Sequence, residues 1–241
     1  MANYLKNKLK RIANLNMSSQ QGATLPDMAS RLRTRNLSVS GFVNIGSGRG
    51  DDTPFFMSIW PGMKSLLIDM DTRFQPEWDR LSKTHPDIKN VVCAAGDHDG
   101  EGAFLKSNDV GGALSSNADV EGGTSTPIRK VDTLVDEFEI PGPYFLKFDT
   151  HGVELDILAG AEETLKNTSV IMMEVYNFKL NFVGGKNLTF DEMSLHMKAL
   201  GFRCIDFCDP LFRPGDHALW QMHMIFVRDD HISWNRNSYS A

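Results

Sequence analysis

Lys147, Asp149 and His151 fall at alternate positions in the run from Leu146 to Leu165, followed at once by Gly152 and Glu154. Ionisable groups crowded this closely cost free energy unless they are solvated, paired or put to use. Lys147 and Asp149, two residues apart on an extended run, share one face of a strand, and His151 follows in the turn. An imidazole titrates near neutral pH, so His151 is a candidate general base. Asp149 would orient it or hold the hydroxyl being deprotonated, and Lys147 would stabilise Asp149. The plainer alternative is a Lys147–Asp149 ion pair beside a surface histidine.

A second motif lies upstream. Val43-Asn44-Ile45-Gly46-Ser47-Gly48-Arg49-Gly50-Asp51-Asp52 runs an apolar strand into three alternating glycines, and a helix is predicted to begin near Thr53-Pro54. Such glycines let the backbone turn sharply and approach a ligand. Asn44, Gly46, Ser47, Gly48 and Gly50 are therefore candidate cofactor contacts. A dinucleotide fingerprint wants its third glycine at position 51, where this chain has Asp51, and two carboxylates would repel a pyrophosphate from the helix N-terminus. No GK[ST] follows, so a Walker-type loop is excluded. S-adenosylmethionine, cationic and free of phosphate, tolerates an acidic rim, and Asp51 and Asp52 would also serve as helix caps.

Asp69 ends the next apolar run about 20 residues beyond the loop, where a carboxylate can accept hydrogens from both ribose hydroxyls; Asp71 is a second candidate. Asp97, after Ala94-Ala95-Gly96, could meet an adenine amino group.

Elements to hold these residues can be read from periodicity. Apolar runs at 41–46, 65–69, 90–96, 144–149, 170–175, 202–207 and 221–227 alternate with amphipathic stretches such as QPEWDRLSKT, IRKVDTLVDEF, GVELDILAGAEETL and TFDEMSLHMKALG. Alternation of this type predicts a mostly parallel α/β sheet with helices on both faces, the final strand antiparallel near an edge. Residues 105–127, with two Gly-Gly pairs and little core material, read as an inserted lid, a recognition hairpin or a disordered loop. Residues 4–15 read as an amphipathic helix within a basic arm over residues 1–36; residues 37–228 form the main domain and 229–241 a tail.

The run LKxDxxGxExxxLxGAxxxL, carried here by Lys147, Asp149, Gly152, Glu154, Leu158, Gly160, Ala161 and Leu165, resembles the fourth-strand signature of the FkbM-type S-adenosylmethionine-dependent methyltransferases. The flanking VDTLVDEF, IMMEVY and PLFRPGDHALWQMHMIFVR are also similar to that family, over about residues 41–228. The resemblance implies a class I, Rossmann-like seven-stranded fold and O-methylation of a sugar, polyketide or other small metabolite. The chain departs from the family pattern at Asn44, where an aspartate is usual, and at His151, where a glutamate is usual. A divalent metal held by Asp149, His151 and Glu174 is compatible with this chemistry, but no ligand spacing demands one. His217, in the Pro-Gly-Asp loop, could touch substrate, and His223 reads as a structural strand residue.

The net charge of -6 conceals an asymmetry. Residues 1–36 hold seven bases and one acid, leaving 18 bases against 30 acids elsewhere. The acidic body argues against general nucleic-acid binding, whereas the basic arm suits an anionic partner or weak association with a lipid surface. Three cysteines without CxxC spacing, and no apolar run of spanning length, fit a reducing, cytoplasmic setting. A homo-oligomer is compatible with the sequence. The competing readings are a non-catalytic adenosyl-binding interaction module and an NAD-dependent dehydrogenase, the second disfavoured by Asp51.

Overall fold

The computed structural model describes residues 22–106, 112–115, 121–180 and 187–239; the predicted helix over residues 4–15 lies outside them. In chain order the strands are β1 (Gly41–Ile45), β2 (Lys64–Asp69), β3 (Ile88–Val92), β4 (Ala94–Ala95), β5 (Gly100–Lys106) and β6 (Gly112–Ser115). They continue as β7 (Thr124–Arg129), β8 (Tyr144–Phe148), β9 (Thr168–Tyr176), β10 (Phe202–Phe212) and β11 (Leu219–Arg228). The helices are α1 (Leu25–Arg33), α2 (Thr53–Met57), α3 (Gln75–Thr84), α4 (Val131–Glu137), α5 (Glu154–Ala159), α6 (Glu162–Lys166) and α7 (Phe190–Ala199). Among the described residues no helix is long and apolar enough to cross a membrane.

Seven strands pair in the order β10-β11-β9-β8-β1-β2-β3. β11 runs antiparallel to both of its neighbours, while the ladders among β1, β2, β3, β8 and β9 are parallel. The chain moves outward from β1 to β3 and then returns to β8 on the other side of β1. That reversal opens a crevice at the carboxyl ends of β1 and β8, where open α/β sheets bind ligands. Register fixes what meets there: Asn44 lies opposite Lys147 and Ile45 opposite Phe148.

Strands covered on both sides need apolar residues at successive positions. One face, carrying Val43, Ile45, Leu66, Leu146 and Phe148, packs on Val131, Leu134, Ile157, Leu158 and Met197 from the helices beyond. The other, with Phe42, Phe145, Val170 and Ile225, packs on Met28 and Leu32 of α1 and Phe56 of α2. α1 thus belongs to the core although it falls in the basic segment. Thr24 and Asp27 form its capping box. Arg31 reaches Asp206 on β10 at 2.7 Å and Arg35 reaches the same carboxylate at 3.0 Å.

The stretch predicted as one helix over 152–165 divides at Gly160 into α5 and α6. A Cβ at Gly160 would collide with the Gly96 carbonyl oxygen. Asp132 takes up the freed backbone donors of α6, accepting from Thr164 N at 2.7 Å and Glu163 N at 3.0 Å.

The 90–96 run, expected as one strand, divides between two sheets. β3 joins the main sheet, whereas β4 begins a second, four-stranded sheet of order β4-β7-β5-β6. In the described parts of the 105–127 insert the chain supplies β6 and portions of β5 and β7. β5 is antiparallel to both β6 and β7. The β-branched Thr and Ile of TSTPIR suit a strand, but neither it nor GEGAFLK carries a long apolar run to announce itself.

Candidate active site

A cavity of about 210 Å³ opens at the β1/β8 switch point. Its walls include Gly46, Ser47 and Gly48 from the glycine loop, Asp69 and Asp71 from the end of β2, and Asp149, Thr150 and His151 from the end of β8. Phe74, Ala94, Ala95, Phe104, Leu114 and Val153 supply an apolar lining.

The glycine loop is held by backbone geometry that only glycine adopts easily. Gly46, Gly48 and Gly50 have φ of 72°, 52° and 72°. A Cβ on Gly46 would also strike the Asp149 carbonyl, so the loop and the β8 end approach each other because residue 46 has no side chain. Gly50 does not line the cavity; it backs against the Leu67 and Leu81 side chains. Ser47 Oγ is buried with no hydrogen-bond partner, an orphaned polar atom on a residue of the cavity wall.

Asp69 anchors the loop: its Oδ2 accepts from Gly48 N at 2.9 Å and its Oδ1 from Asp71 N at 2.9 Å. Each oxygen keeps acceptor capacity for a further donor. Burial raises the Asp69 pKa, against the pull of its backbone hydrogen bonds. Asp71 also lines the cavity, but its carboxylate accepts from Arg73 N at 3.0 Å and from Arg73 Nε at 2.6 Å. Asp97 lies outside the wall: it is exposed and pairs with His98 Nδ1 at 2.6 Å. The transfer of the chain from β3 into the second sheet accounts for that displacement.

Lys147 and Asn44 stand behind the wall. The Lys147 Nζ is nearly inaccessible and lies 2.8 Å from Asp149 and 3.0 Å from Asp52. Burial opposes the charge on Lys147, but Asp149 and Asp52 more than offset it and raise the pKa. Burial likewise pushes the Asp149 carboxyl upward, and Lys147 overcomes it, holding the pKa below the ordinary value. Asn44 Nδ2 donates to Asp52 Oδ1 at 3.1 Å and to Thr53 Oγ1 at 3.2 Å. Asp52 occupies the N-cap position of α2, yet its side chain makes no capping bond and serves Lys147 and Asn44 instead.

His151 is carried by a tight turn. Gly152 has φ of 85°, and its N–H donates to both oxygens of Glu154 at 3.1 Å. Thr150 Oγ1 donates to Glu154 Oε1 at 3.0 Å, so one buried carboxylate clamps the residues on either side of His151. Burial raises the Glu154 pKa against these hydrogen bonds.

Beyond His151 stand Glu174, Tyr176 and His223, a cluster the sequence reading assembled only in part. Glu174 and Tyr176 sit two apart on β9, and His223 faces Glu174 across the β9–β11 ladder. One ligand atom each from Asp149, Glu174 and His223 lie within 4.8 Å of one another, a spacing open to a cation. Lys147 already engages Asp149, and the Tyr176 hydroxyl donates to Glu174 at 2.5 Å. The signal available in sequence was the even spacing of Glu174 and Tyr176 at the end of an apolar strand. His217 is exposed in the β10–β11 connection, outside the cavity wall. Cys93 lines the cavity, but burial pushes its thiol to about 12, so it stays protonated.

The family described as Methyltransferase FkbM domain matches residues 44–204. No match to a curated protein was found. Similar solved structures include StiE O-MT residues 961–1257, at 10% identity and a TM-score of 0.48, covering 85% of this chain and 74% of that one. A SAM-dependent methyltransferase from Aquifex aeolicus shares 12% identity with a TM-score of 0.42, covering 92% and 97%. A precorrin-6y C5,15-methyltransferase from Geobacter metallireducens GS-15 shares 10% identity with a TM-score of 0.44, covering 83% and 86%.

Proposed function

The chain belongs to the FkbM family of methyltransferases, and we propose that it uses S-adenosylmethionine to methylate a hydroxyl group on a sugar or another small metabolite, with His151 as general base. The observation that carries this reading is the shared wall: Asp69 and the glycine loop on one side of a single cavity, Asp149 and His151 on the other.

The residues present fit the cofactor. Asp69 has acceptor capacity for ribose hydroxyls, the buried Ser47 hydroxyl lacks a partner, and Phe74, Ala94 and Ala95 offer an apolar bed for an adenine ring. The donor supplies a methyl group on a cationic sulfur. The protein's task is alignment, which contributes up to about 7–11 kcal/mol in favourable cases. His151 would take the proton of the acceptor hydroxyl, and the bound donor would supply the methyl group that this oxygen receives. Base catalysis of this type adds about 10²–10⁴-fold. Asp149, kept ionised by Lys147, holds the hydroxyl or the imidazolium. A basic segment over residues 1–36, whose α1 packs on the main sheet, and a catalytic domain over 37–228 complete the proposal.

Calorimetric titration with S-adenosylhomocysteine, paired with transfer of labelled methyl to a panel of hydroxylated metabolites, tests it. Uptake of ligand and label supports the reading; binding of NADH in place of S-adenosylhomocysteine contradicts it.

A further inference from the structure

Behind His151 the side chains form a directed chain. The Tyr176 hydroxyl donates to Glu174 Oε1 at 2.5 Å, within the range of a charge-assisted O–H···O bond. With its proton committed there, the phenolic oxygen is placed to accept from His151 Nδ1, 3.4 Å away. Burial and the neighbouring Glu174 both raise the tyrosine pKa, so the phenol remains a donor through the neutral range.

Packing holds the chain in place. The Tyr176 ring meets His151 edge-on, with centroids 6.0 Å apart and 65° between planes, and meets Trp220 at 6.1 Å and 83°. Glu174 has a side chain only 10% exposed, and its second oxygen lies 3.7 Å from His223 Nε2. A buried carboxylate held by a short hydrogen bond has little freedom to turn elsewhere. The carboxylates of Asp149 and Glu154 also face the imidazole electrostatically.

We infer that Tyr176 and Glu174 are positioning residues for His151: they orient its imidazole with a proton on Nδ1 toward the phenol and leave Nε2 as the base. This rests on the reading of His151 as the base in hydroxyl methylation. A base oriented by a second group, itself oriented by a third, is the arrangement that hydrolytic triads use to set a histidine tautomer. Here a phenol stands between imidazole and carboxylate. When the proton arrives on Nε2, the imidazolium donates from Nδ1 to the phenolic oxygen, whose own proton remains on the Glu174 side.

The experiment records side-chain ¹⁵N shifts of the histidines in the full-length protein, with His151 assigned by the signals lost in His151→Asn. The expected result is the Nδ1–H tautomer in wild type and a shift toward Nε2–H in Tyr176→Phe, which keeps the ring and removes the hydroxyl. Glu174→Gln is the second variant and should move the same signal. In turnover, Tyr176→Phe should lower kcat about tenfold or more with the KM for S-adenosylmethionine unchanged within about twofold. An Nε2–H tautomer in wild type, or an unaltered spectrum in Tyr176→Phe, overturns the inference. The spectrum needs no acceptor, so failure of the wild type to methylate hydroxyls counts against the proposed reaction alone.

Discussion

Lys147 and Asp52 meet at 3.0 Å behind the cavity wall, with Asn44 donating to the same Asp52 carboxylate at 3.1 Å. The pattern that the sequence resembles usually carries an aspartate where this chain has Asn44. In this chain an acid eight residues further on, at the start of the helix after the glycine loop, reaches back to the lysine. The ammonium still faces two carboxylates, and the added contact ties the glycine loop to the end of β8.

Replacing Lys147 by Met should therefore be costly. Removing one partner of a buried ion pair leaves the other uncompensated, at about 3–5 kcal/mol. Urea denaturation at neutral pH should show a loss of that order. The sign with pH follows from Asp149, whose folded pKa lies below 3.8. Its contribution is present above that ordinary value and disappears as pH falls through the lower folded value. The gap between wild type and Lys147→Met should thus narrow on acidification; a gap that widens would contradict the pairing.

Asp69→Ala should weaken S-adenosylmethionine first and turnover only through occupancy. Losing two hydroxyl contacts and the anchor on Gly48 should reduce affinity about tenfold or more, or about 1.4 kcal/mol, measured by calorimetry. Because burial raises the Asp69 pKa above 3.8, binding to the wild type should begin to fail at a higher pH than an exposed aspartate would dictate. Asp69→Asn should remove that acid limb.

His151→Ala should reverse the pattern. Turnover should drop about 10²–10⁴-fold with cofactor affinity nearly unchanged. Equal rates in variant and wild type would take His151 out of the chemistry, since the Glu154 clamp holds the turn without the imidazole.

Gly160→Ala should destabilise the fold without touching the cavity. The new methyl would meet the Gly96 carbonyl, part of a backbone that cannot move aside as a flexible side chain can. Overpacking of this kind costs about 1–3 kcal/mol, which a shift in the urea midpoint would report.

What could be read from sequence follows from how each signal is encoded. β1, β2, β8 and β9 are buried on both faces, so uninterrupted runs such as GFVNI and VIMMEV announce them. The glycine loop and Asp69 sit at strand ends that those runs locate, and their place on the cavity wall follows. Asp97 was legible only as an acid after a strand, because nothing local says that the chain leaves the main sheet at Cys93. The division at Gly160 depends on Gly96, 64 positions away in sequence, and the partnership of Asp52 with Lys147 spans 95. Tyr176 escaped notice for the same reason: its role exists only once β8, β9 and β11 lie side by side.

The second sheet has an evolutionary consequence. Phe104 and Leu114 roof the cavity from strands that share no ladder with the seven-stranded sheet. Substitutions there would reshape that part of the wall and leave the glycine loop and Asp69 in place. Under the proposed reaction, a lineage carrying this architecture would change its clientele by drift in one hairpin, with the glycine loop and Asp69 left as they are.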